Sequence, residues 1–215
     1  MNPKSLLIAV SSFFLADLTV LAENVVKNPG FEFGEEGWRL FLPSASIGTQ
    51  AVEWEVIKKP GESRQGQFLA ALTGTEPIRW GIFGNTLGVS EGQKYRISAW
   101  VKFNRDAEIQ DSGRSPVYLR ATMLDDSGQD VYGNAFGHFH IGLSGEVAGN
   151  AKVDSLKIAK LPTEWRKIEG VIQILEGASK LHLVLFTNGV TGTVYWDDVS
   201  IEQVPDETPL SRILD

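Results

Sequence analysis

The chain has 215 residues, no cysteine and a formal net charge of −7 at pH 7. This length suits one domain with a substantial hydrophobic core and is short for two. The negative charge disfavours nucleic acid and anionic membranes as partners. Because there are no disulfides, a good core, a metal ion or both must stabilise the fold.

The first 22 residues have the pattern of a cleavable export signal. Lys4 supplies a positive charge, an apolar stretch covers residues 6–15, and residues 20–22 read Val-Leu-Ala, which is typical of a cleavage site. The apolar stretch is short for a bilayer, so an uncleaved anchor is the less favoured alternative. We expect a signal peptide at 1–22, a secreted, periplasmic or cell-surface location, and no membrane span after signal cleavage.

The rest of the chain alternates strand-forming runs with Gly, Pro, Asn and Asp turns, and it contains no convincing amphipathic helix. This rhythm predicts an all-β sandwich that occupies residues 23–204, followed by a linker-like C-terminal tail at 205–215. The Gly-rich segment 125–150 contains six glycines and is predicted to be a long loop or a loop with one hairpin. The predicted strands are 24–27, 38–42, 51–57, 67–73, 78–83, 94–104, 116–124, 154–160, 165–175, 180–187 and 192–203.

Three predicted strands separate an apolar face from a mixed face, since alternate residues of a strand point to opposite sides. The apolar residues should face the core of the sandwich, and the mixed face combines aromatic rings with Arg, Lys, Ser, Thr and His. The apolar set is Tyr95, Ile97, Ala99, Val101, Phe103, Val117, Leu119, Ala121, Met123, Leu181, Leu183 and Leu185. The mixed set is Arg96, Ser98, Trp100, Lys102, Tyr118, Arg120, Thr122, His182, Val184 and Phe186.

The mixed face has a composition that suits a sugar. Aromatic rings stack on the C–H face of a pyranose, while Arg, His and hydroxyl groups hydrogen-bond its OH groups. The alternative is a second small core that the segment 125–150 covers. Trp80, preceded by Arg79, is a second candidate for sugar contact, or else a core or rim aromatic, whereas Trp38 and Trp165 are expected to be structural. The main candidates are Trp100, Tyr118, Arg120, Arg96 and His182.

Four motifs in order cover almost all of the mature chain. They are Asn24–Glu32 followed by Gly37-Trp38, then Glu91–Lys102, Pro162–Gly170 and Thr193–Ile201. Together they resemble the carbohydrate-binding modules of families 4 and 9 and their relatives. The resemblance implies a galactose-binding-like jelly-roll β-sandwich that binds a polysaccharide or oligosaccharide without catalysis. The segment 125–150 departs from the family by its length.

The resemblance also implies a structural calcium ion near Glu32, Asp197 and Asp198. Calcium takes six to eight oxygen ligands, and here it would hold the first and last strands together. Strict alternation places Asp197 on the same face as Val199 and Ile201, hence inward, where an unpaired carboxylate is costly. The alternative is that these acids accept backbone N–H bonds at strand ends.

His138 and His140 give the clearest hint of an enzyme. On a strand they would point to the same side, and a His-x-His pair can bind zinc, although a catalytic site needs a third ligand. Jelly-roll polysaccharide lyases use Tyr, His and Arg, so Tyr132 belongs to this alternative. The simpler interpretation is that the two histidines contact a ligand or lie at the surface.

The sequence therefore favours a secreted, monomeric, non-catalytic protein that binds a polysaccharide through aromatic stacking. A small jelly-roll polysaccharide lyase or hydrolase using His138, His140 and Tyr132 is the second hypothesis. A cell-surface module that binds another protein is the third.

Overall fold

The computed structural model describes residues 23–42, 51–84, 86–131 and 138–214. The predicted signal peptide and Tyr132 lie outside this part of the chain. The strands are β1 (Trp38–Phe41), β2 (Val52–Lys58), β3 (Phe68–Gly74), β4 (Arg79–Gly84), β5 (Leu87–Gly88), β6 (Lys94–Phe103), β7 (Glu108–Ile109), β8 (Val117–Leu124), β9 (His138–Ile141), β10 (Val147–Ala148), β11 (Arg166–Gln173), β12 (Lys180–Asn188), β13 (Val190–Val204) and β14 (Ile213–Leu214). A 3-10 helix covers Asn150–Ser155.

Two sheets pack face to face and form a jelly-roll β-sandwich, as predicted. The eight-stranded sheet has the order β1-β4-β12-β8-β9-β10-β14, with β5 also paired to β12. The six-stranded sheet has the order β11-β6-β13-β3-β2, with β7 also paired to β13. In the described residues no helix is long and apolar enough to cross a membrane.

The core between the sheets consists of the apolar residues that alternation predicted. The inward residues of β6, β8 and β12 are buried in one cluster, together with Trp80 and Trp196, which are both 0% exposed. Burying side chains of this size stabilises the fold by about 1.5–3 kcal/mol each, and more for the tryptophans. The core thus supplies stability in a chain that has no cysteine to form disulfides.

Some predicted strands are absent. Residues 24–27 form only one isolated bridge, between Asn24 and Glu202. The prediction of a strand at 154–160 is wrong, because that region holds the end of the 3-10 helix and then an irregular segment. Its apolar residues serve two separate contacts, since Leu156 packs in a small outer cluster and Ile158 packs against the main core.

The described part of the Gly-rich segment contains a hairpin, as one of the two alternatives predicted from the sequence. Its second half forms β9 and β10, which pair antiparallel with each other and extend the eight-stranded sheet beyond β8. The C-terminal tail also contributes a strand, because β14 pairs parallel with β10. Ser211 bonds to Val171 of β11 through both its backbone N–H and its hydroxyl oxygen, so the tail contacts both sheets.

The predicted seam between the chain ends is present. The N–H of Val25 donates to Ile201 O at 3.0 Å, and the side chain of Asn24 bonds to the backbone of Val199 and Ile201. The N–H of Val199 donates to Pro29 O at 2.9 Å. The first described segment therefore runs beside β13, the longest strand.

A β-bulge in β13 changes the position of Asp197. The register shifts between Asp197 and Ser200, and Asp198 has a left-handed φ of 51°. Asp197 lies opposite Trp100 on the outer side of the sheet, whereas strict alternation placed it inward. The prediction was wrong because a bulge inserts one residue and so reverses the faces beyond it. Asp197 is nevertheless 0% exposed, since the loop at 59–67 covers it.

Candidate functional site

The candidate site is the outer face of the eight-stranded sheet. We call it the His–Arg face. Its position follows from register, because residues opposite each other on neighbouring strands share a face. Phe186 lies opposite Tyr118, Arg120 lies opposite both Val184 and His140, and Thr122 lies opposite both His182 and His138. The His–Arg face consists of Phe41, Phe83, Tyr118, Arg120, His138, His140, His182 and Phe186, with Arg79 at its edge.

The floor of the His–Arg face is apolar. Tyr118 and Phe186 are 1% and 0% exposed, and their ring centroids lie 5.4 Å apart. Phe41 packs edge-on against Phe186 at 5.0 Å. Ala148 of β10 and Leu156 after the 3-10 helix join the same cluster. The alternative of a second small core is thus correct for Tyr118, which is too deeply buried to serve as an open stacking surface.

Arg120 is held over this floor by aromatic rings. Its guanidinium carbon lies 5.0 Å from the centroid of Phe41 and 4.7 Å from that of Phe186. Burial lowers the pKa of Arg120 to about 10, so the side chain is still charged at neutral pH. Its Nε atom is buried and has no hydrogen-bond partner in the described part of the chain. The guanidinium group thus lies against both rings of the Phe41–Phe186 pair, and these contacts restrict its position.

The three histidines lie on the two strands that flank Arg120, with His138 and His140 on β9 and His182 on β12. Burial lowers the pKa of His140 to about 3, so its ring is neutral at neutral pH. The Nδ1 of His140 lies 3.2 Å from Ala148 O, which can only accept, so Nδ1 carries the proton. His138 Nδ1 lies 2.8 Å from Thr122 Oγ1 and 3.8 Å from Asp130 Oδ2.

His182 is half-buried and packs edge-on against Phe83 at 5.2 Å. Burial lowers the pKa of His182, and the charge of Arg120 lowers it further. His182 and Phe83 therefore form a half-exposed pair of rings beside the charged Arg120.

The zinc alternative gains no third ligand from the described residues. His138 and His140 lie on the same face of β9, as predicted, with ring centroids 6.2 Å apart. Within the described ranges there is no group of three or more His, Cys, Asp or Glu side chains that could hold a metal ion. Tyr132, the third residue of the catalytic alternative, lies outside those ranges.

Trp100 and Arg96 do not belong to the His–Arg face. Both lie on β6 in the six-stranded sheet, whereas Tyr118, Arg120 and His182 lie in the other sheet, on the opposite side of the sandwich. The expectation that these five residues share one face is wrong, because alternation shows which residues point outward but not which sheet a strand joins. Any role of Trp100 in sugar binding would therefore need a second, separate surface.

The outer face of the six-stranded sheet is partly covered by the loop at 59–67. Arg64 stacks on Trp100, with its guanidinium carbon 4.3 Å from the ring centroid. Trp165 Nε1 donates to Glu62 O at 2.8 Å, which supports the structural role predicted for Trp165. This loop therefore contacts Trp100 of β6 and Trp165, which directly precedes β11.

Trp80 is part of the core rather than of a binding edge. Its side chain is 0% exposed, and a Cβ atom at Gly74 would lie 2.8 Å from its ring. The alternative prediction for Trp80, an aromatic residue of the core, is therefore correct. A side chain buried in this way cannot contact a sugar. Trp38 is likewise buried, at 4% exposed, and its Nε1 donates to Asn28 O at 3.1 Å.

The acids of the predicted calcium site accept backbone hydrogen bonds from the loop at 59–67 and the start of β3. Asp197 Oδ2 accepts from Arg64 N at 2.7 Å and from Gln65 N at 3.3 Å. Glu32 Oε1 accepts from Gln67 N and Phe68 N at 2.8 and 3.0 Å. These bonds match the alternative prediction, in which the acids accept backbone N–H bonds instead of binding a metal ion.

Asp197 nevertheless lacks a cationic partner. Asp197 Oδ1 accepts a bond from Asp198 N at 2.8 Å, and no Lys or Arg of the described residues forms an ion pair with its carboxylate. Burial raises the pKa of Asp197 to about 6. A buried carboxylate with a free lone pair has the donor chemistry that calcium uses. Glu32, Asp197 and Asp198 do not form a metal-binding group of three acids in the described part of the chain, so calcium bound to Asp197 would also need backbone oxygen atoms as ligands.

Three aromatic residues of the His–Arg face are missing from the site residues predicted from the sequence. Phe186 belongs to the mixed set but not to the predicted site, and Phe41 and Phe83 belong to neither. The alternation of inward and outward residues could have identified Phe41 and Phe83 as outward residues. Each follows an apolar residue that packs in or against the core, Leu40 before Phe41 and Ile82 before Phe83. Only the pairing of β1, β4 and β12 brings these rings together.

Comparison with known proteins supports the fold. No protein-family model matches the chain, and no curated protein matches it. The enzymatically active domain of bacteriophage CBA120 tailspike protein 4 gives a TM-score of 0.57 at 14% identity over 84% of this chain and 21% of that one. The CBM22-1–GH10 modules of Clostridium thermocellum endo-1,4-beta-D-xylanase 10B, solved with xylohexaose, give 0.54 at 16% identity over 86% and 29%.

A third structure matches nearly end to end. The CBM22-1 xylan-binding domain of Paenibacillus barcinonensis Xyn10C gives a TM-score of 0.50 at 18% identity over 85% of this chain and 96% of that domain. In contrast, the chain spans less than a third of the first two structures. At these identities the likeness shows a shared jelly-roll fold. The finer resemblance to families 4 and 9 stays a prediction.

Proposed function

We propose that this protein is a non-catalytic module that binds a polysaccharide or oligosaccharide on its His–Arg face. The observation that carries the proposal is the convergence of half-buried rings, Phe41 and Phe83, with the polar groups of Arg120, His138 and His182 on one outer sheet face. The jelly-roll fold adds support, since a xylan-binding domain shares it.

The chemistry of binding follows from the two kinds of side chain. An aromatic ring that stacks on a sugar contributes roughly 1–2 kcal/mol through burial of apolar surface. Arg120 and the imidazole of His182 would then select the pattern of hydroxyl groups through hydrogen bonds. Because such a site orders a flexible ligand and buries little area, we expect a dissociation constant that is micromolar or weaker.

Replacing Phe83 or His182 with Ala is expected to weaken binding about fivefold or more, since each removes one half of a ring pair on the proposed surface. Affinity electrophoresis through gels containing single polysaccharides measures this. The control is Phe33→Ala, because Phe33 is 73% exposed and lies outside the His–Arg face. Thermal melts would check that each variant is folded.

The outcome can contradict the proposal in two ways. If Phe83→Ala and His182→Ala bind as tightly as the parent, the His–Arg face is not the site. If Trp100→Ala alone abolishes binding, the site lies on the six-stranded sheet. Release of shortened or unsaturated products from any polymer would favour the lyase or hydrolase hypothesis.

We also propose that a calcium ion stabilises the seam near Glu32 and Asp197. The support is the buried carboxylate of Asp197, which lacks a cationic partner among the described residues, and the resemblance described above. Calcium at about 100 times its dissociation constant would add about 2.7 kcal/mol to the free energy of unfolding. We expect the melting temperature to rise by about 5–10 °C relative to EDTA.

The matched variants for calcium are Asp197→Asn and Glu55→Asn. Asp197→Asn should abolish the calcium-dependent rise in melting temperature, whereas Glu55→Asn, at an exposed position on β2, should retain it. Magnesium serves as a second control for the parent protein. A melting temperature that is the same with calcium and with EDTA would contradict the proposal.

A further inference from the structure

The two arginines of the His–Arg face lack acidic partners. Arg120 and Arg79 both lie over the ring of Phe186, at 4.7 and 5.7 Å from its centroid. Neither forms an ion pair with a carboxylate of the described residues. Their mutual repulsion contributes to the lowered pKa of Arg120. In a chain with a net charge of −7, two neighbouring arginines over one ring concentrate positive charge on this face.

On the opposite face of the sandwich, two of the stacked cations share one carboxylate. Lys59 and Lys102 stack on aromatic rings there, with Lys102 Nζ 4.9 Å from the centroid of Trp165. Their Nζ atoms are 3.6 and 3.7 Å from Glu62 Oε2. These two lysines are thus neutralised, whereas Arg64 on Trp100 and the two arginines of the His–Arg face form no ion pair among the described residues.

The acidic groups around the His–Arg face have other contacts. The carboxylate of Asp130 raises the pKa of Arg120, and its Oδ2 lies 3.8 Å from His138 Nδ1 on β9. Asp154 raises the pKa of Tyr118, and its Oδ1 accepts a bond from Ser115 N at 3.3 Å. Burial keeps His140 neutral, so the two arginines supply the fixed positive charge at the centre.

Arg120 is prepared for an anion by its surroundings. Two aromatic rings contact the guanidinium group, and its buried Nε–H lacks a hydrogen-bond partner among the described residues. A planar guanidinium binds a carboxylate or sulfate through two parallel hydrogen bonds, a geometry that a sugar hydroxyl cannot match. Burial strengthens this attraction relative to water.

We propose that the saccharide bound on the His–Arg face is acidic, and that its carboxylate or sulfate groups bind to Arg120 and Arg79. This inference rests on the proposed function and gives it a substrate class. Phe41 and Phe83 would contact the sugar ring, while the two arginines bind the anionic substituent. A uronic acid residue and a sulfated sugar present the same chemistry to the arginines.

The experiment compares ligands that differ only in charge. Polygalacturonate and its fully methyl-esterified form share one backbone, and dextran sulfate and dextran form a second pair. Affinity electrophoresis should show at least tenfold tighter binding to the charged member of one pair. That binding should weaken at least tenfold between about 50 mM and 500 mM NaCl, since salt screens exposed charges. The pair that shows the effect identifies the anion as carboxylate or sulfate.

Three variants test whether Arg79 and Arg120 bind the anionic group of the saccharide. Arg79→Gln, at an exposed position, should weaken binding to the charged polymer about fivefold or more and leave the fold intact. Arg120→Lys keeps the charge but loses the planar fork, so it should weaken binding as well. Arg166→Gln is the control, because Arg166 is an exposed arginine on the six-stranded sheet and its loss changes the net charge equally.

Each outcome decides one of the two proposals. Equal binding to charged and esterified polymers, or equal losses in Arg79→Gln and Arg166→Gln, would overturn the acidic ligand and leave polysaccharide binding in place. Binding to neither kind of polymer would overturn the proposed function itself.

Discussion

Replacing Trp196 with Ala is expected to lower the free energy of unfolding by about 4 kcal/mol. Trp196 lies on β13 in the six-stranded sheet, is 0% exposed, and packs in the main core. Its loss would remove the transfer free energy of the ring and leave a cavity that a rigid sandwich fills only in part. Urea denaturation followed by circular dichroism measures the change.

The matched variant for this prediction is Trp196→Phe. The Nε1 atom of Trp196 is buried without a hydrogen-bond partner, so Phe removes an unsatisfied donor while it keeps most of the apolar volume. We expect a loss of about 1 kcal/mol or less for Phe. Trp165→Ala, on the outer face, serves as the second control. Losses of equal size in Trp196→Ala and Trp165→Ala would contradict the position of Trp196 in the core.

The loss of side-chain hydrogen bonds in Asn28→Ala is expected to lower the free energy of unfolding by about 3 kcal/mol. The Nδ2 of Asn28 donates to Gly34 O at 2.8 Å and to Glu36 O at 3.0 Å, and its Oδ1 accepts from Phe33 N at 3.0 Å. The side chain thus closes the turn that leads into β1 and is 8% exposed. Ala leaves three backbone groups without partners, and net losses of about 1 kcal/mol per bond add up to this figure.

Backbone conformation adds to the cost at Asn28 and can be separated from it. Asn28 has a left-handed φ of 51°, which Asn tolerates and which costs Ala about 1 kcal/mol more. Asn28→Gly removes the hydrogen bonds without that strain, so it should be about 1 kcal/mol more stable than Asn28→Ala. The control is Asn104→Ala, at an exposed position, with an expected change within about 0.5 kcal/mol. If Asn28→Ala and Asn104→Ala unfold at the same urea concentration, the turn does not depend on this side chain.

These two residues illustrate how far the sequence motifs were informative. Asn28 and Trp196 belong to the first and last motifs, and the structure places those motifs side by side, as the resemblance implied. Asp197 belongs to the last motif as well, yet the prediction that its side chain points into the core was wrong. The left-handed residue Asp198 creates a bulge, and nothing in the local pattern marks the position where alternation is interrupted.

The His–Arg face shows a similar division. Alternation within β8 and β12 identified Tyr118, Arg120 and His182 as outward residues, and all three lie on one face. It could not show that Tyr118 is buried under β10 and the residues after the 3-10 helix, because those contacts come from a segment distant in sequence. Nor could it show that Arg120 contacts both Phe41 and Phe186, which lie on strands that are far apart in sequence.

The sequence by itself determined the all-β class, the strands of the core and the residues that point outward. These properties depend on the two-residue period of a strand and on local turn chemistry, both of which can be read over a few neighbouring positions. The sheet that each strand joins is known only from the three-dimensional fold. Strand pairing separates Trp100 and Arg96 from Arg120. It also brings Phe41, Phe83 and His182 close to Arg120 and places Trp80 in the core. Strand pairing depends on contacts between distant segments, and a periodic pattern within one strand carries no information about its neighbours.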